Sequence, residues 1–462
     1  MVLWDQTPVF CGVIKLIIGG LLLSAGILFT AFGLDRTIGS QLMLAFLLSF
    51  AGYALLLSSS SSIQSQNFRA LIGLGIALRL LLVFAFPTLS DDVYRFIWDG
   101  QLINAGINPF AQLPAYYLEA GHEVPGLTQA LFNRLNSPDY YTIYPPVAQA
   151  VNTLAVYLSP NSWYGASVVM KFFLLAAELG TLWLLLRLLA HFALPQVRLL
   201  LYWLNPLVLV EIMGNLHFEG AMVAFLLLGF WGLIRSRWAQ AATGFALSIA
   251  SKLLPLMLLP FLVKRLWSRL FWRFSTVLGL LLILLFLPLI TSGFPANFGS
   301  SLDLYFRKFE FNASFYYLAR AYGYWEIGWN QIARFGPLLA KLALISILIF
   351  ALLEGGFKRS KWASSASWKK LPEVWMWAFI IYLLCATTVH PWYLIVPLVL
   401  SVFTNWRFPL LWSALIMLTY ATYLTDPYQE ILWLVAIEYL VVAAFACWEW
   451  WQRGDEPTAS RV

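Results

Sequence analysis

Charge is scarce in this chain. Only 11% of its 462 residues are Asp, Glu, Lys or Arg, 61% are hydrophobic, and the mean hydropathy is +0.76. A soluble domain of this size needs far more charge to cover its surface, so the composition excludes that class and predicts a polytopic membrane protein. Cysteine is nearly absent as well. Cys11, Cys385 and Cys447 are scattered through apolar runs, which argues against a disulfide framework or a thiolate metal site. Residues 1–8 hold no basic residue, and the apolar stretch from about Val9 runs on without a small-residue cleavage site. A cleaved signal peptide is therefore not expected. Nor is there an internal repeat of the kind that marks transporters built from duplicated halves.

The apolar runs fall at 8–32, 40–57, 70–87, 164–189, 198–211, 219–234, 239–251, 254–263, 271–291, 336–353, 374–389, 391–404, 408–424 and 431–449. They should be helical, because backbone groups in lipid must bond within their own segment. Several are shorter than the ~20 residues of a full crossing, so the expectation is about 12–14 transmembrane helices in a single domain over 1–462. Segment 145–158 opens with Pro145-Pro146 and is amphipathic, which predicts a helix lying in the interface.

Basic residues sort by face. Seventeen fall on one side: Arg69, Arg187, Arg198, Arg235, Arg237, Lys264, Arg265, Arg269, Arg273, Lys358, Arg359, Lys361, Lys369, Lys370, Arg407, Arg453 and Arg461. Eight fall on the other, although its loops are about twice as long: Arg36, Arg95, Arg134, Lys252, Arg307, Lys308, Arg320 and Arg334. The positive-inside rule makes the first face cytoplasmic, with both termini there. The opposite face then holds two long loops rich in Tyr, Trp and Phe, a first at 88–163 with interfacial helices and a second at 292–335.

On that outer face the few charged groups gather. Asp91, Asp92, Arg95 and Asp99 follow the third span; Glu211, His217 and Glu219 bracket a short turn; Lys252 interrupts about 24 apolar residues; His390 opens the run His390-Pro391-Trp392-Tyr393. Carboxylates are costly at a bilayer edge, so three within nine residues predict that at least one is used. Each group also has a plainer reading, as a helix end, an interfacial anchor or a turn cap, and Arg95 can simply pair with Asp91 or Asp99. Together they supply one carboxylate group suited to general base work and two or three cationic or imidazole groups suited to a phosphate. That combination fits transfer of a group from a lipid-linked phosphate to a hydroxyl. An inverting displacement needs one base.

The order of motifs carries a resemblance. Asp91-Asp92-Val93-Tyr94-Arg95-Phe96-Ile97-Trp98-Asp99-Gly100 is followed by Gly106-Ile107-Asn108-Pro109-Phe110 and Tyr141-Thr142-Ile143-Tyr144-Pro145-Pro146. Then come Asn205-Pro206, Gly214-Asn215-Leu216-His217-Phe218-Glu219, Lys252-Leu253-Leu254-Pro255 and His390-Pro391-Trp392-Tyr393. Over about residues 70–400 the chain resembles GT-C fold membrane glycosyltransferases. It is most similar to the bacterial polyprenyl-phosphate-mannose-dependent mannosyltransferases, with a fainter likeness to the first mannosyltransferase of GPI-anchor assembly.

The resemblance implies an acidic base in the first large external loop, here Asp92 or Asp91, with Asp92 slightly favoured. It implies a polyprenyl phosphosugar donor, with mannose as the sugar, whose phosphate meets Lys252 and His390, and a lipid or glycan acceptor. Arg95, Asp99, Glu211, His217, Glu219 and Tyr393 complete the expected substrate-binding set, at the extracytoplasmic side of a bacterial plasma membrane. Some relatives use a divalent cation and others do not, and no metal is assigned. Relatives commonly place the catalytic loop after their first span, whereas two spans come earlier here. A transporter or flippase of a lipid-linked sugar is the competing reading, and ligation of a whole glycan from a lipid pyrophosphate is a third.

Overall fold

A computed structural model of the protein describes residues 7–58, 65–266, 269–290, 293–354 and 365–454. Lys358, Arg359, Lys361 and Arg461 of the basic face lie outside the described residues. The described chain is all α-helical, with one isolated bridge between Phe311 and Thr388 and no strand. It is a polytopic membrane protein. Among the described residues six helices are long and apolar enough to cross a bilayer: Gly12–Phe32, Gly39–Ser58, Trp163–His191, Leu270–Leu289, Ile332–Leu353 and Leu432–Arg453.

A seventh forms if Gln196–Trp203 and Pro206–Gly214, bent by 53°, count as one span. The remaining apolar runs become shorter helices, Glu219–Ile234, Pro391–Ser401 and Phe408–Leu424 among them. Long and short apolar helices together make up the runs behind the expected 12–14. Proline, which removes an amide donor and clashes with the preceding turn, interrupts some of them. Pro255 and Pro260 split the 254–263 segment into Leu254–Leu258 and Pro260–Val263, and Pro206 sits at the 53° bend.

The two early spans pack on each other as a hairpin of α1 (Thr7–Phe32) and α2 (Gly39–Ser58). Small residues make the contact. A Cβ at Gly52 would lie 2.3 Å from the Leu23 amide nitrogen, and one at Gly26 would lie 2.3 Å from Ser49 Oγ, so the backbones approach as only glycine permits. The turn between α1 and α2 carries Arg36, whose guanidinium reaches both oxygens of Asp91, at 3.1 and 2.9 Å. The two early spans thus deliver a cation to the acidic pair.

After α3 (Ser65–Leu82), the chain enters α4 (Asp92–Asn104), with Asp91 at its N-cap position. The amphipathic helix Pro146–Leu158 packs along α4, where a Cβ at Gly100 would meet the Asn152 carbonyl oxygen at 2.6 Å. Charged groups within the apolar bundle are satisfied locally. Arg79 donates to Glu178 at 3.0 and 2.8 Å and to the carbonyls of Gly75 and Trp203. The Tyr202 hydroxyl donates to Glu178 at 2.7 Å. Lys171 donates to the carbonyls of Leu82 (3.2 Å), Ala85 and Gly214 (2.9 Å).

Among the described residues these ion pairs agree with the partition of faces: Arg36 with Asp91, Lys252 with Glu219 and Arg320 with Glu310 on one side, Arg265 with Glu354 and Arg453 with Glu373 on the other.

Candidate active site

A cavity of about 770 Å³ opens where the two long loops meet the segments 388–393 and 420–432. Asp91, Asp92, Arg95, Lys252, His390 and Tyr393 line it, and they come from three distant parts of the sequence. Its size suits a small organic ligand or part of a larger one.

Asp92 opens α4, where the helix dipole favours a carboxylate. Its side chain is 18% exposed to the cavity, accepts from Asn136 Nδ2 at 2.6 Å and faces His217 Nε2 at 3.9 Å. Asp91 is different: both its oxygens are held by Arg36, so it is already neutralised. Arg95 touches the cavity, yet its donors go to Asp99 Oδ1 (3.0 Å) and to the carbonyls of Ser137 and Tyr140. Asp99 is fully buried and also accepts from Thr142 (2.5 Å) and Gln149 (2.8 Å). The expected substrate contacts at Arg95 and Asp99 therefore become a brace that fixes loop 137–142 and helix Pro146–Leu158 to α4.

Glu211, His217 and Glu219 stand behind the cavity wall, each 0–2% exposed. Asn205 caps the Pro206 turn by accepting from the Leu207 amide at 2.9 Å, and a widened helical turn follows over Leu209–Gly214. Such turns recur at functional sites. Here it turns Glu211 inward to accept from the Tyr420 hydroxyl (2.7 Å) and Asn215 (3.2 Å). Leu216 then adopts φ +66, a left-handed conformation that costs a β-carbon-bearing residue of order 1 kcal/mol or more. The strain is localised next to His217. That imidazole places Nδ1 3.0 Å from the Glu211 carbonyl oxygen and 3.1 Å from its carboxylate, and stacks on Trp392 with ring centroids 3.8 Å apart.

Lys252 ends the helix Trp238–Ser251 and pairs with buried Glu219 at 2.8 Å. The anion it was expected to reach is thus first of all Glu219. An ammonium has three donors, so Lys252, 22% exposed toward the cavity, keeps capacity for a second anion. His390 lies on the other face of Trp392, centroids 4.4 Å apart and 10° from parallel. Burial pushes its imidazole down to about 3, with Asp92 opposing the shift and His217 and Lys252 adding to it. His390 therefore meets a ligand near neutral pH as an uncharged hydrogen-bonding ring rather than as a cation.

This depression has a stability consequence. Between about 6.5 and 3 the unfolded chain binds a proton at this position and the folded chain does not, so the contribution is present above 6.5 and lost as pH falls. Lowering pH from 6.5 to 5 should cost about 2 kcal/mol through this residue. His390→Phe, which keeps a ring against Trp392, is expected to flatten the fall in thermal midpoint over that interval. An unchanged slope in a detergent melting series would refute the assignment.

Several cavity residues carry no signal in the sequence. Glu310 pairs with Arg320 at 2.5 Å, and Glu430 accepts from the Asn312 amide and the Tyr317 hydroxyl. Burial raises the Glu430 carboxyl, against the lowering effect of those two hydrogen bonds. Asn136 and Tyr420 were likewise unremarkable in sequence. Only their fold brings them to Asp92 and Glu211. Among the described residues no group of three or more His, Cys, Asp or Glu is arranged to hold a metal ion. His217 lies between Glu211 and Asp92 rather than sharing a centre with them.

Helical spans that converge on a carboxylate-bearing cavity beside a lysine and stacked imidazoles define a membrane protein with a polar cavity set into its helices. The chain belongs to the family described as alpha-(1->6)-mannopyranosyltransferase, N-terminal domain, whose model matches residues 24–269. The match includes Asp91, Asp92, His217, Glu219 and Lys252, and it bears out the resemblance to bacterial GT-C type mannosyltransferases.

Among curated relatives, the chain is 23% identical over 265 residues to alpha-(1->6)-mannopyranosyltransferase A of Corynebacterium glutamicum, covering 53% of this chain and 50% of the relative. It is 26% identical over 186 residues to the protein of the same name from Mycobacterium tuberculosis, covering 39% of this chain and 34% of the relative. The chain thus spans half the length of the first relative and about a third of the second.

Proposed function

We propose that this protein is a membrane mannosyltransferase that moves a mannosyl group from a polyprenyl phosphate donor to a hydroxyl of a lipid or glycan acceptor, with inversion. The site faces the outer side of the plasma membrane. Asp92 is the general base. The observation that carries this reading is the convergence of Asp92, Lys252 and His390 on one cavity, with Asp91 neutralised by Arg36. The family match and the named activity of both relatives support the sugar. The excess of basic residues on the opposite face supports the sidedness.

The acceptor hydroxyl oxygen attacks the anomeric carbon while the bond from that carbon to the phosphate oxygen breaks, its electron pair leaving with the polyprenyl phosphate. Asp92 takes the hydroxyl proton. Lys252 offsets the charge that grows on the phosphate, and His390 donates a hydrogen bond to it. A lipid-linked donor seated in the 770 Å³ cavity would displace water from the reacting centre, where these electrostatic contacts gain strength.

Proteoliposomes containing a polyprenyl phosphomannose donor and a short mannoside acceptor test the reading. A new α-linked mannoside and stoichiometric polyprenyl phosphate are expected. Movement of donor lipid between leaflets without a new glycosidic bond would replace this reading with a flippase.

A further inference from the structure

We propose that His217, held by Glu211 and Trp392, receives the proton that Asp92 removes from the acceptor, so that the base works as a carboxylate–imidazole–carboxylate relay. This rests on the assignment of Asp92 as base and adds to it the fate of the proton.

The geometry is specific. Nδ1 of His217 has two acceptors, the Glu211 carbonyl oxygen at 3.0 Å and its carboxylate at 3.1 Å, so the ring hydrogen belongs on Nδ1. Nε2 is then a lone-pair acceptor. It is buried, makes no hydrogen bond, and faces Asp92 Oδ2 at 3.9 Å. A buried polar nitrogen without a partner costs about 1–3 kcal/mol, and the strained Leu216 backbone beside it adds to that cost. Both are maintained where they aim one lone pair at the base. Long hydrogen bonds between catalytic groups are usual before substrate binds.

The charges around His217 are disposed to hold the proton. On its own segment lies Glu211, across from it on α4 lies Asp92, and the face of Trp392 is stacked 3.8 Å away. An imidazolium there gains two carboxylates and a cation–π contact. The other charged group in this region, Lys252, is paired with Glu219, and His390 is an uncharged ring on the far side of Trp392. Tyr420 donates to Glu211 and itself lines the cavity, which anchors the far carboxylate.

The step balances. The acceptor O–H proton passes to Asp92 and from Asp92 to Nε2, leaving Asp92 ionised and His217 as imidazolium, while the phosphodiester donor becomes a phosphate monoester with one more negative charge. Loss of the imidazolium proton to water after product release resets the site. His217 and Glu211 act through Asp92 and are positioning residues.

Single-turnover transfer measured in mixtures of light and heavy water tests this. The wild type is expected to give a curved proton inventory, the mark of two protons in flight. His217→Gln should lower the transfer rate on the order of 10²-fold with little change in donor KM, and straighten the inventory. Glu211→Gln, which keeps the hydrogen-bonded shape without the charge, should move both readouts the same way and stands in if the first variant does not fold. A wild-type inventory that is already linear, or variants that leave its curvature unchanged, would overturn the relay. Asp92→Asn separates the two claims: if it is inactive while His217→Gln behaves as wild type, only the relay falls. If Asp92→Asn is active, the base assignment falls first.

Discussion

Asp92→Asn is expected to leave a folded protein whose transfer activity is about 10²–10⁴-fold below wild type, the range that a positioned general base contributes. The substitution is nearly isosteric and keeps an oxygen for the Asn136 contact at 2.6 Å, so its effect should fall on the rate and leave the thermal midpoint near that of the wild type. Asp91→Asn makes the control. It breaks a two-point ion pair with Arg36 that is partly exposed, at 23% and 35%, so a modest loss of stability with substantial retained activity is expected. The informative measurement is the pair of variants side by side in the proteoliposome assay. Full activity in both would remove the carboxylate from the chemistry.

A second large effect concerns the bundle. Arg79→Leu should destabilise the fold by about 3–5 kcal/mol, because it strands the fully buried Glu178 without its guanidinium. The same change removes a stacking contact with Trp203, 3.6 Å from the ring centroid, and leaves the carbonyl of Trp203 without its donor. The double variant Arg79→Leu/Glu178→Leu should recover part of that loss, since a well-packed apolar pair avoids the unpaired charge. Thermal unfolding in detergent of the two variants and the wild type decides the matter: a double variant less stable than Arg79→Leu would mean that the pair itself holds the helices. This cluster also bears on the flippase alternative. Arg79, Glu178 and Lys171 are bound to one another's segments and to backbone carbonyls, which makes them fixed braces and gives no sign of a moving charge series.

The spans and the gathering of charged groups were legible because both come from scarcity. When only about one residue in nine is charged, each one near a span end stands out, and Asp91, Asp92, Lys252 and His390 could be placed on one cavity from hydropathy and loop charge alone. What could not be read is who pairs with whom. Arg36 and Asp91 are 55 positions apart, Tyr420 and Glu211 are 209 apart, and no local pattern links them. For the same reason Asp99 and Glu211 looked like ligand-facing acids, although both are consumed by internal hydrogen bonds. Short proline-broken helices have the same hydropathy as halves of full ones, which is why hydropathy alone reads 254–263 as one apolar run.

Lys171 has a consequence for how tightly the reacting groups are spaced. Its one ammonium grips the carbonyls of Leu82 and Ala85, a few residues before Asp91 and Asp92, and the carbonyl of Gly214, three residues before His217. Both strands of chain that lead to the base and the imidazole are therefore measured from a common peg. A ligand entering the cavity cannot wedge those two apart without breaking that lysine's hydrogen bonds. It can draw them together only by swinging side chains, and the accommodation of its size falls to the opposite wall.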